Sequence, residues 1–210
     1  MSFIRTAFAA SISIGMLTTS ASADGIYYGV GIGVSDAESD PILFTTNTSG
    51  ATFGTLGGTL GYRWDKGGHF WGTEANLDFG LGADFDDDVT GMSCKTSANG
   101  PYYCSQTGTL RLRGLVGTEV GKDLELFGTL GLAAISGDAA DNPTTQDPAV
   151  NVGLTVGVGL QKQVGKNIHR IELIYDDLSS ARTKPVDHPS VYSPEYKAIS
   201  LNYTLIFGRK

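Results

Sequence analysis

The most regular feature of this chain is an alternation of large apolar residues with small, polar or charged ones. In Phe70 to Ala83, for example, the odd positions of Ala75 to Leu81 are apolar, whereas the even positions before and between them include Glu74, Asn76 and Asp78. A period of two residues predicts a β-strand whose two faces meet different surroundings, and it does not fit a helix. The pattern recurs eight times, in Gly25 to Val34, Thr52 to Trp64, Phe70 to Ala83, Thr109 to Val120, Leu124 to Ile135, Val150 to Gln163, Ile168 to Asp177 and Tyr196 to Phe207.

The connections between these predicted strands alternate in length. Three are short, and these are Asp65 to His69, Gly121 to Asp123 and Gly165 to Asn167. Four are long and polar, and these are Ser35 to Ala51, Asp84 to Gly108, Ser136 to Ala149 and Leu178 to Glu195. Short turns in the periplasm and long loops outside the cell are typical of outer-membrane barrels. The predicted fold class is therefore all-β, an eight-stranded antiparallel up-and-down transmembrane β-barrel.

The volume of the side chains decides which face of the barrel is outside. On the order of three dozen large apolar side chains occupy the alternate positions, whereas an eight-stranded barrel has room only for its own inward side chains or one small ligand. The apolar set therefore faces outward, where only a bilayer makes such a surface stable. A closed barrel is expected for the same reason, because an open sheet edge in hydrocarbon leaves backbone groups without partners.

The start of the chain has the features of a secretory signal. One positive charge at Arg5 precedes an apolar stretch from Ala7 to Leu17, and the small residues of Ser20 to Ala23 form a cleavage site. The apolar stretch is too short to cross a bilayer. We therefore expect residues 1–23 to be a signal peptide and residues 24–210 to be one outer-membrane β-barrel domain.

The composition excludes some classes of function. The chain has 15 Lys and Arg against 22 Asp and Glu, a formal net charge of −7, so no basic stripe is available for nucleic acid. Cys94 and Cys104 are its two cysteines, and export to an oxidising compartment favours a disulfide between them. No sequence motif for a cofactor is present, and none is expected.

Several charged residues fall on the inward face of the predicted barrel. They are Glu74, Asp78, Arg111, Arg113, Glu119, Glu125, Arg170 and Glu172. Glu74 and Asp78 lie on the strand beside the one that carries Arg111 and Arg113, so cross-strand ion pairs are expected. Because buried charges must be paired, this set predicts a salt-bridge plug of the lumen, with a narrow gated conduit as the alternative.

Aromatic residues on the outward face fall near the strand ends, as expected for girdles at the two membrane interfaces. Tyr28, Tyr62, Trp64, Trp71 and Phe207 would form the periplasmic girdle, and Phe79 and Tyr175 the outer one.

From Asp24 to Lys210 the chain resembles the outer-membrane barrel family that includes the transmembrane domain of outer-membrane protein A and the opacity-type surface proteins. The most specific element of this resemblance is the last strand, with the outward residues Ile199, Leu201, Tyr203, Leu205 and Phe207. The resemblance implies that the barrel-assembly machinery recognises this strand as an assembly signal, and that the protein lies in the cell outer membrane.

Two further groups of residues suggest chemistry, each with a simpler interpretation beside it. Asp84, Asp86, Asp87 and Asp88 offer oxygen ligands for Ca²⁺ or Mg²⁺ bridging to lipopolysaccharide, or form a solvated acidic loop. His188 and Ser190 have the His-x-Ser spacing of outer-membrane lipid A deacylases, but they lie in a proline-rich loop, outside the strand context of that family.

The sequence therefore favours a non-enzymatic barrel with a structural and surface-interaction role. Its expected partners are outer-membrane lipid and lipopolysaccharide, the barrel-assembly machinery and a surface ligand that the loop sequences do not identify. A lipid A deacylase and a narrow channel are the alternatives.

Overall fold

Antiparallel β-strands make up most of the computed structural model, which describes residues 24–40, 48–94, 102–142, 145–182 and 195–208. The strands are β1 (Gly25–Asp40), β2 (Ser49–Lys66), β3 (His69–Leu81), β4 (Asp86–Asp87), β5 (Tyr102–Gly121), β6 (Leu124–Asn142), β7 (Thr145–Val164), β8 (Asn167–Arg182) and β9 (Glu195–Phe207). In the described part of the chain, no helix is both long and apolar enough to cross a membrane.

Eight of these strands form a closed barrel. Each pairs antiparallel with its neighbours in the order β1, β2, β3, β5, β6, β7, β8, β9, and β9 pairs back with β1. At the closure, Tyr28 of β1 lies opposite Leu60 of β2 on one side and Phe207 of β9 on the other. The two-residue strand β4 pairs with the start of β2, and its Asp86 also forms an isolated bridge with Ser93. The predicted eight-stranded antiparallel barrel is confirmed.

The short connections are tight turns at one end of the barrel. Gly67 and Gly68 have φ values of 59° and 83°, the left-handed conformation that a two-residue hairpin needs at both positions and that glycine adopts without strain. Asp123 and Gly165, at the other two turns, also have positive φ.

At the other end, the strands continue well beyond the bounds predicted from sequence. β1 extends to Asp40 instead of Val34, and β5 begins at Tyr102 instead of Thr109. Much of what the sequence indicated as long loops is therefore strand. The prediction stopped too early because the polarity of the two faces reverses there: Ala37 and Phe53 are buried, whereas Asp36 is exposed.

Along the rest of the barrel the apolar face is outside. Ile26, Leu130 and Leu154 are 58% to 65% exposed, whereas Glu74 and Arg113 on the inward face are almost fully buried. An exposed apolar band around a whole molecule is unstable in water and stable in hydrocarbon. On β1 this band runs from Ile26 to Val34, about the nine to eleven tilted strand residues that cross a bilayer.

Candidate functional site

The barrel lumen collects charged side chains at three levels between the turn end and the loop end. Four arginines meet six carboxylates there, and these residues are Arg63, Arg111, Arg113, Arg170, Asp65, Glu74, Asp78, Glu125, Glu172 and Asp176. Each lies at an inward position of its strand and is buried or partly buried. Paired charges are the arrangement that makes such burial tolerable.

The middle level is centred on Arg113 and Glu74, which face each other across β5 and β3. Their side chains lie 2.7 Å apart, and Arg113 also donates to Glu172 of β8 at 2.8 Å, across the lumen. The second oxygen of Glu74 accepts hydrogen bonds from Arg170 and from the Tyr27 hydroxyl. One carboxylate thus joins side chains from four strands.

The level nearest the loop end is centred on Arg111. Its guanidinium binds both oxygens of Asp176 on β8, with donor–acceptor distances of 2.6 to 3.1 Å, and also contacts Asp78 on β3. Asn202 of β9 donates to the same Asp78 at 3.4 Å. This second set of bonds also spans the lumen.

The level nearest the turns is centred on Arg63. It donates to both oxygens of Glu125 at 2.6 and 2.7 Å, contacts Asp65, and stacks on the Phe70 ring with its guanidinium carbon 3.4 Å from the ring centroid. Gln161 links this level to the middle one, because it donates to Glu125 and accepts from Arg170.

The structure brings together most of the lumen residues indicated by sequence, with one correction. Glu119 is exposed and lies beside the turn at Gly68, because its position on β5 is two residues from the turn end of that strand. Sequence reasoning missed Arg63, Asp65 and Asp176 as members of the set. The signal was available for Arg63 and Asp176, since both lie at inward positions of their alternating segments.

Above the charged levels, the inward face becomes apolar and fills the loop end of the lumen. We call this cluster the cap, and its buried members are Ala37, Phe53, Ala83, Phe85, Cys94, Tyr103, Cys104, Ala133, Ile135, Leu178, Tyr196 and Ala198. The rings of Phe85 and Tyr103 both pack on Tyr196, with centroid distances of 6.3 and 5.6 Å. The predicted disulfide between Cys94 and Cys104 is present, with 5.2 Å between its Cα atoms. Burial raises the pKa of the Tyr103 hydroxyl, so this side chain stays neutral well into the alkaline range.

Hydrogen bonds to two buried serines hold the cap across the barrel mouth. Ser49 of β2 donates to the carbonyl oxygen of Tyr103 at 2.8 Å, and the Tyr103 amide donates to Ser39 of β1 at 3.1 Å. Ser39 in turn donates to the carbonyl oxygen of Glu195 on β9 at 3.0 Å. Since β5 is a sheet neighbour of neither β1 nor β2, these bonds connect strands that are not adjacent in the wall.

The acidic run after β3 has a structural part in the cap. Asp87 is buried, and its Oδ1 accepts hydrogen bonds from the amides of Val89 and Thr90, which closes a turn. Asp88 accepts from the amide and hydroxyl of Thr48. Asp84, Asp86 and Asp88 are exposed. Among the described residues, no three carboxylate, histidine or cysteine side chains converge as a metal site would require.

The outward aromatic residues of the turn end form two packed groups on four adjacent strands. Tyr28 packs on Phe207 at 5.7 Å between ring centroids, and Trp64 packs on Tyr62 and Trp71 at 4.7 and 6.4 Å. At the loop end, Phe79 and Tyr175 are 50% and 40% exposed on the outward face.

The remaining sequence predictions fall in two groups. In the last strand, Ile199, Leu201 and Tyr203 are exposed on the outward face, and Leu205 and Phe207 follow them at the same parity, half-buried. His188 and Ser190, as well as the signal peptide at residues 1–23, lie outside the described residues.

Comparison with known proteins gives a family and several distant likenesses. A family model described as "Outer membrane protein beta-barrel domain" matches residues 6–172. The "22 kDa outer membrane protein" of Rhizobium leguminosarum bv. viciae is 34% identical over 123 residues, which is 57% of this chain. The match covers 50% of that curated relative, so this chain spans about half of its length.

Among solved structures, the attachment invasion locus protein Ail of Yersinia pestis is 12% identical, with a TM-score of 0.47 over 86% of this chain and 98% of that one. Neisserial surface protein A is 8% identical, with a TM-score of 0.49 over 87% of this chain and 98% of that one. At such low identities and TM-scores, the similarity supports no statement about function. The assignment of the barrel rests on the strand pairing of this chain itself.

Proposed function

Because the chain belongs to the outer membrane protein β-barrel family and resides in the outer membrane, we propose that it is a non-enzymatic barrel with a closed lumen and an interactive extracellular end. Its body would anchor and rigidify the envelope, and its loops would make the contacts at the cell surface. A narrow channel and a lipid A deacylase are the alternative functions.

The observation that carries this proposal is that side chains obstruct the lumen at two heights. The ion pairs of Arg111 and Arg113 reach from β5 to β8, and above them the cap fills the mouth. A void between the two arginine levels, lined in part by Asn76, Asp78 and Asn202, has a volume of only about 10 Å³. That is room for about one water molecule, whereas conduction needs a continuous aqueous path.

The extracellular end supports a role in surface contact. Beyond the apolar band, the strands continue with polar outward residues such as Asp36 and Glu38, so this part of the barrel stands in water. The cap gives it an apolar core of its own, which provides a rigid base for the loops. Binding residues are often presented on loops held by such a scaffold.

Planar-bilayer recording on the refolded barrel tests the closed lumen. We expect no stepwise conductance, under conditions in which a general porin in the same bilayer shows clear steps. Stepwise openings of the wild-type barrel would overturn the closed lumen and favour the channel.

Mass spectrometry of lipid A tests the enzyme alternative. We expect the same acyl pattern in cells with and without the protein, and a matched strain that expresses His188→Ala supplies the control. Loss of an acyl chain with the wild type but not with that variant would overturn the non-enzymatic proposal.

A loop replacement tests the surface role. Cells that display the wild-type chain should adhere to a target surface more than cells whose residues 183–194 are replaced by a short Gly-Ser linker. Equal adhesion of wild-type, loop-replaced and non-expressing cells, on every surface tried, would contradict the surface role while leaving the closed barrel intact.

A further inference from the structure

A polar pair interrupts the apolar outer wall at the turn end of β8 and β9. Nδ1 of His169 and the hydroxyl oxygen of Tyr203 lie 2.6 Å apart, and their ring centroids are 6.0 Å apart. Both residues occupy outward positions, in line with Ile171 and Leu201, which are 55% and 49% exposed. The pair therefore faces the membrane and not the lumen.

A lysine lies directly beside this pair. Lys162 of β7 is exposed, has the outward parity of Leu160, and stands opposite His169 in the strand register. Opposed residues of antiparallel strands have Cβ atoms about 5 Å apart, so the ammonium group can reach the imidazole. Among the ion pairs of the described strands and turns, Lys162 has no carboxylate partner.

The same arrangement recurs on the opposite wall of the barrel. Lys66 of β2 stands opposite His69 of β3, both are exposed, and the neighbouring outward residues are Trp64 and Trp71. Both lysine–histidine pairs lie within a few residues of a short turn. They therefore lie at the boundary between the apolar band and the periplasm, the depth of lipid headgroups.

We propose that Lys162, His169 and Tyr203 bind the phosphate of an anionic phospholipid in the periplasmic leaflet. An imidazole that accepts the Tyr203 hydrogen at Nδ1 carries its own proton on Nε2, and that N–H is a free donor. Together with the ammonium of Lys162, it provides two donors and a positive charge for one phosphate group. The acyl chains of the lipid would then lie along the outward side chains of Leu160 and Ile171.

Lipid selectivity of the reconstituted full-length barrel tests this proposal. Electron paramagnetic resonance with spin-labelled lipids measures how strongly the barrel prefers phosphatidylglycerol to phosphatidylcholine in a phosphatidylcholine bilayer. We expect a preference of about threefold for the wild type, the size of a partly exposed charge interaction, reduced at high salt. Lys162→Met and Tyr203→Phe should each lower it toward one, and both keep the size and apolar character that the outer wall needs.

The control is Lys122→Met, which removes the same charge from the adjacent turn between β5 and β6. This variant should retain the wild-type preference. Equal preference in the wild type and Lys162→Met, or an equal loss in Lys122→Met, would overturn the site and leave only general attraction of the periplasmic rim. Heat-dependent gel mobility verifies that each variant is folded, and Tyr203→Phe tests the hydroxyl without loss of the terminal-strand aromatic ring.

Discussion

Single residues in the lumen matter through their partners more than through their number. Glu74 accepts from Arg113, Arg170 and Tyr27, so one buried carboxylate is shared by two guanidinium groups. The pairing of buried charges adds little net stability compared with an apolar core, but the loss of one member leaves a charge without a partner. The wall of the barrel is therefore most sensitive at residues that serve two partners.

We expect Glu74→Gln to destabilise the barrel by about 3–5 kcal/mol, because Arg113 and Arg170 would lose a shared negative charge. Urea unfolding of the refolded protein in lipid vesicles measures the effect. Glu119→Gln, an exposed glutamate of β5, is the matched control and should change the free energy of unfolding by less than about 0.5 kcal/mol. Similar effects of the two variants would show that the lumen pairs do not hold the barrel together.

At some glycines the neighbouring backbone is too close to leave room for a side chain. A Cβ atom at Gly131 would lie 2.1 Å from the carbonyl oxygen of Leu112, whereas one at Gly128 would meet no atom closer than 3.7 Å. We expect Gly131→Ala to destabilise the barrel by about 1–3 kcal/mol and Gly128→Ala to be nearly neutral. The same urea unfolding measures both, and an equal effect would contradict the contact.

The inward or outward direction of each strand residue could be predicted from sequence, because strand parity alone fixes it. The partners across the lumen could not. The sequence predicts that Arg111 and Arg113 pair with acids of the adjacent strand without saying which; Arg113 pairs with Glu74, and its bond to Glu172 joins strands that are not neighbours. Such contacts depend on the curvature of the closed sheet and on the height of each side chain along the barrel. The alternation of inward and outward residues in the sequence gives neither of these.

At the scale of the elements, the strand centres were predictable and their outer ends were not. β6 was predicted to end at Ile135 and extends to Asn142. The rule that apolar residues face outward holds only inside the membrane, whereas Ile135 and Tyr196 face inward in the part that stands in water. The rule that apolar residues face outward therefore fails where a strand leaves the membrane and enters water.

The cap supplies a prediction for the elements that it joins. In Cys94→Ser/Cys104→Ser the segment from Phe85 to Tyr103 should open more often, since closure of a short loop by a disulfide contributes about 2–3 kcal/mol. Chymotrypsin cleavage at these two buried aromatic residues should accelerate by roughly 30-fold, while the gel mobility of the folded barrel is retained. Met92→Ala, an exposed change in the same segment, is the control. An unchanged cleavage rate would mean that the serine bonds and ring packing hold the cap without the disulfide.

The described strands form one barrel whose two ends suit different surroundings. Its middle has an apolar outside and a polar inside, and its loop end has the opposite arrangement. The fold class, the location and the closure of the sheet were predictable, since side-chain volume and the lack of sheet edges in hydrocarbon follow from composition and periodicity.

We expect residues 1–23 to be cleaved as a signal peptide during export. Residues 1–23 should be absent from protein isolated from the outer membrane, so its intact mass should equal that of a chain starting at Asp24. Ala23→Arg removes a small residue of the cleavage site and should leave the precursor in the inner-membrane fraction. Full-length wild-type protein in the outer membrane would contradict the cleavage site.

Ser39 has a consequence for the order of biogenesis. Ser39 accepts a hydrogen bond from the amide of Tyr103 on β5 and donates one to the carbonyl oxygen of Glu195 at the start of β9. The pairing of the first and last strands is therefore linked to the cap by hydrogen bonds. Because these bonds need both strands in place, we expect the cap to reach its native position only after β1 and β9 have paired. Closure of the loop end of the lumen would then be the last step of maturation.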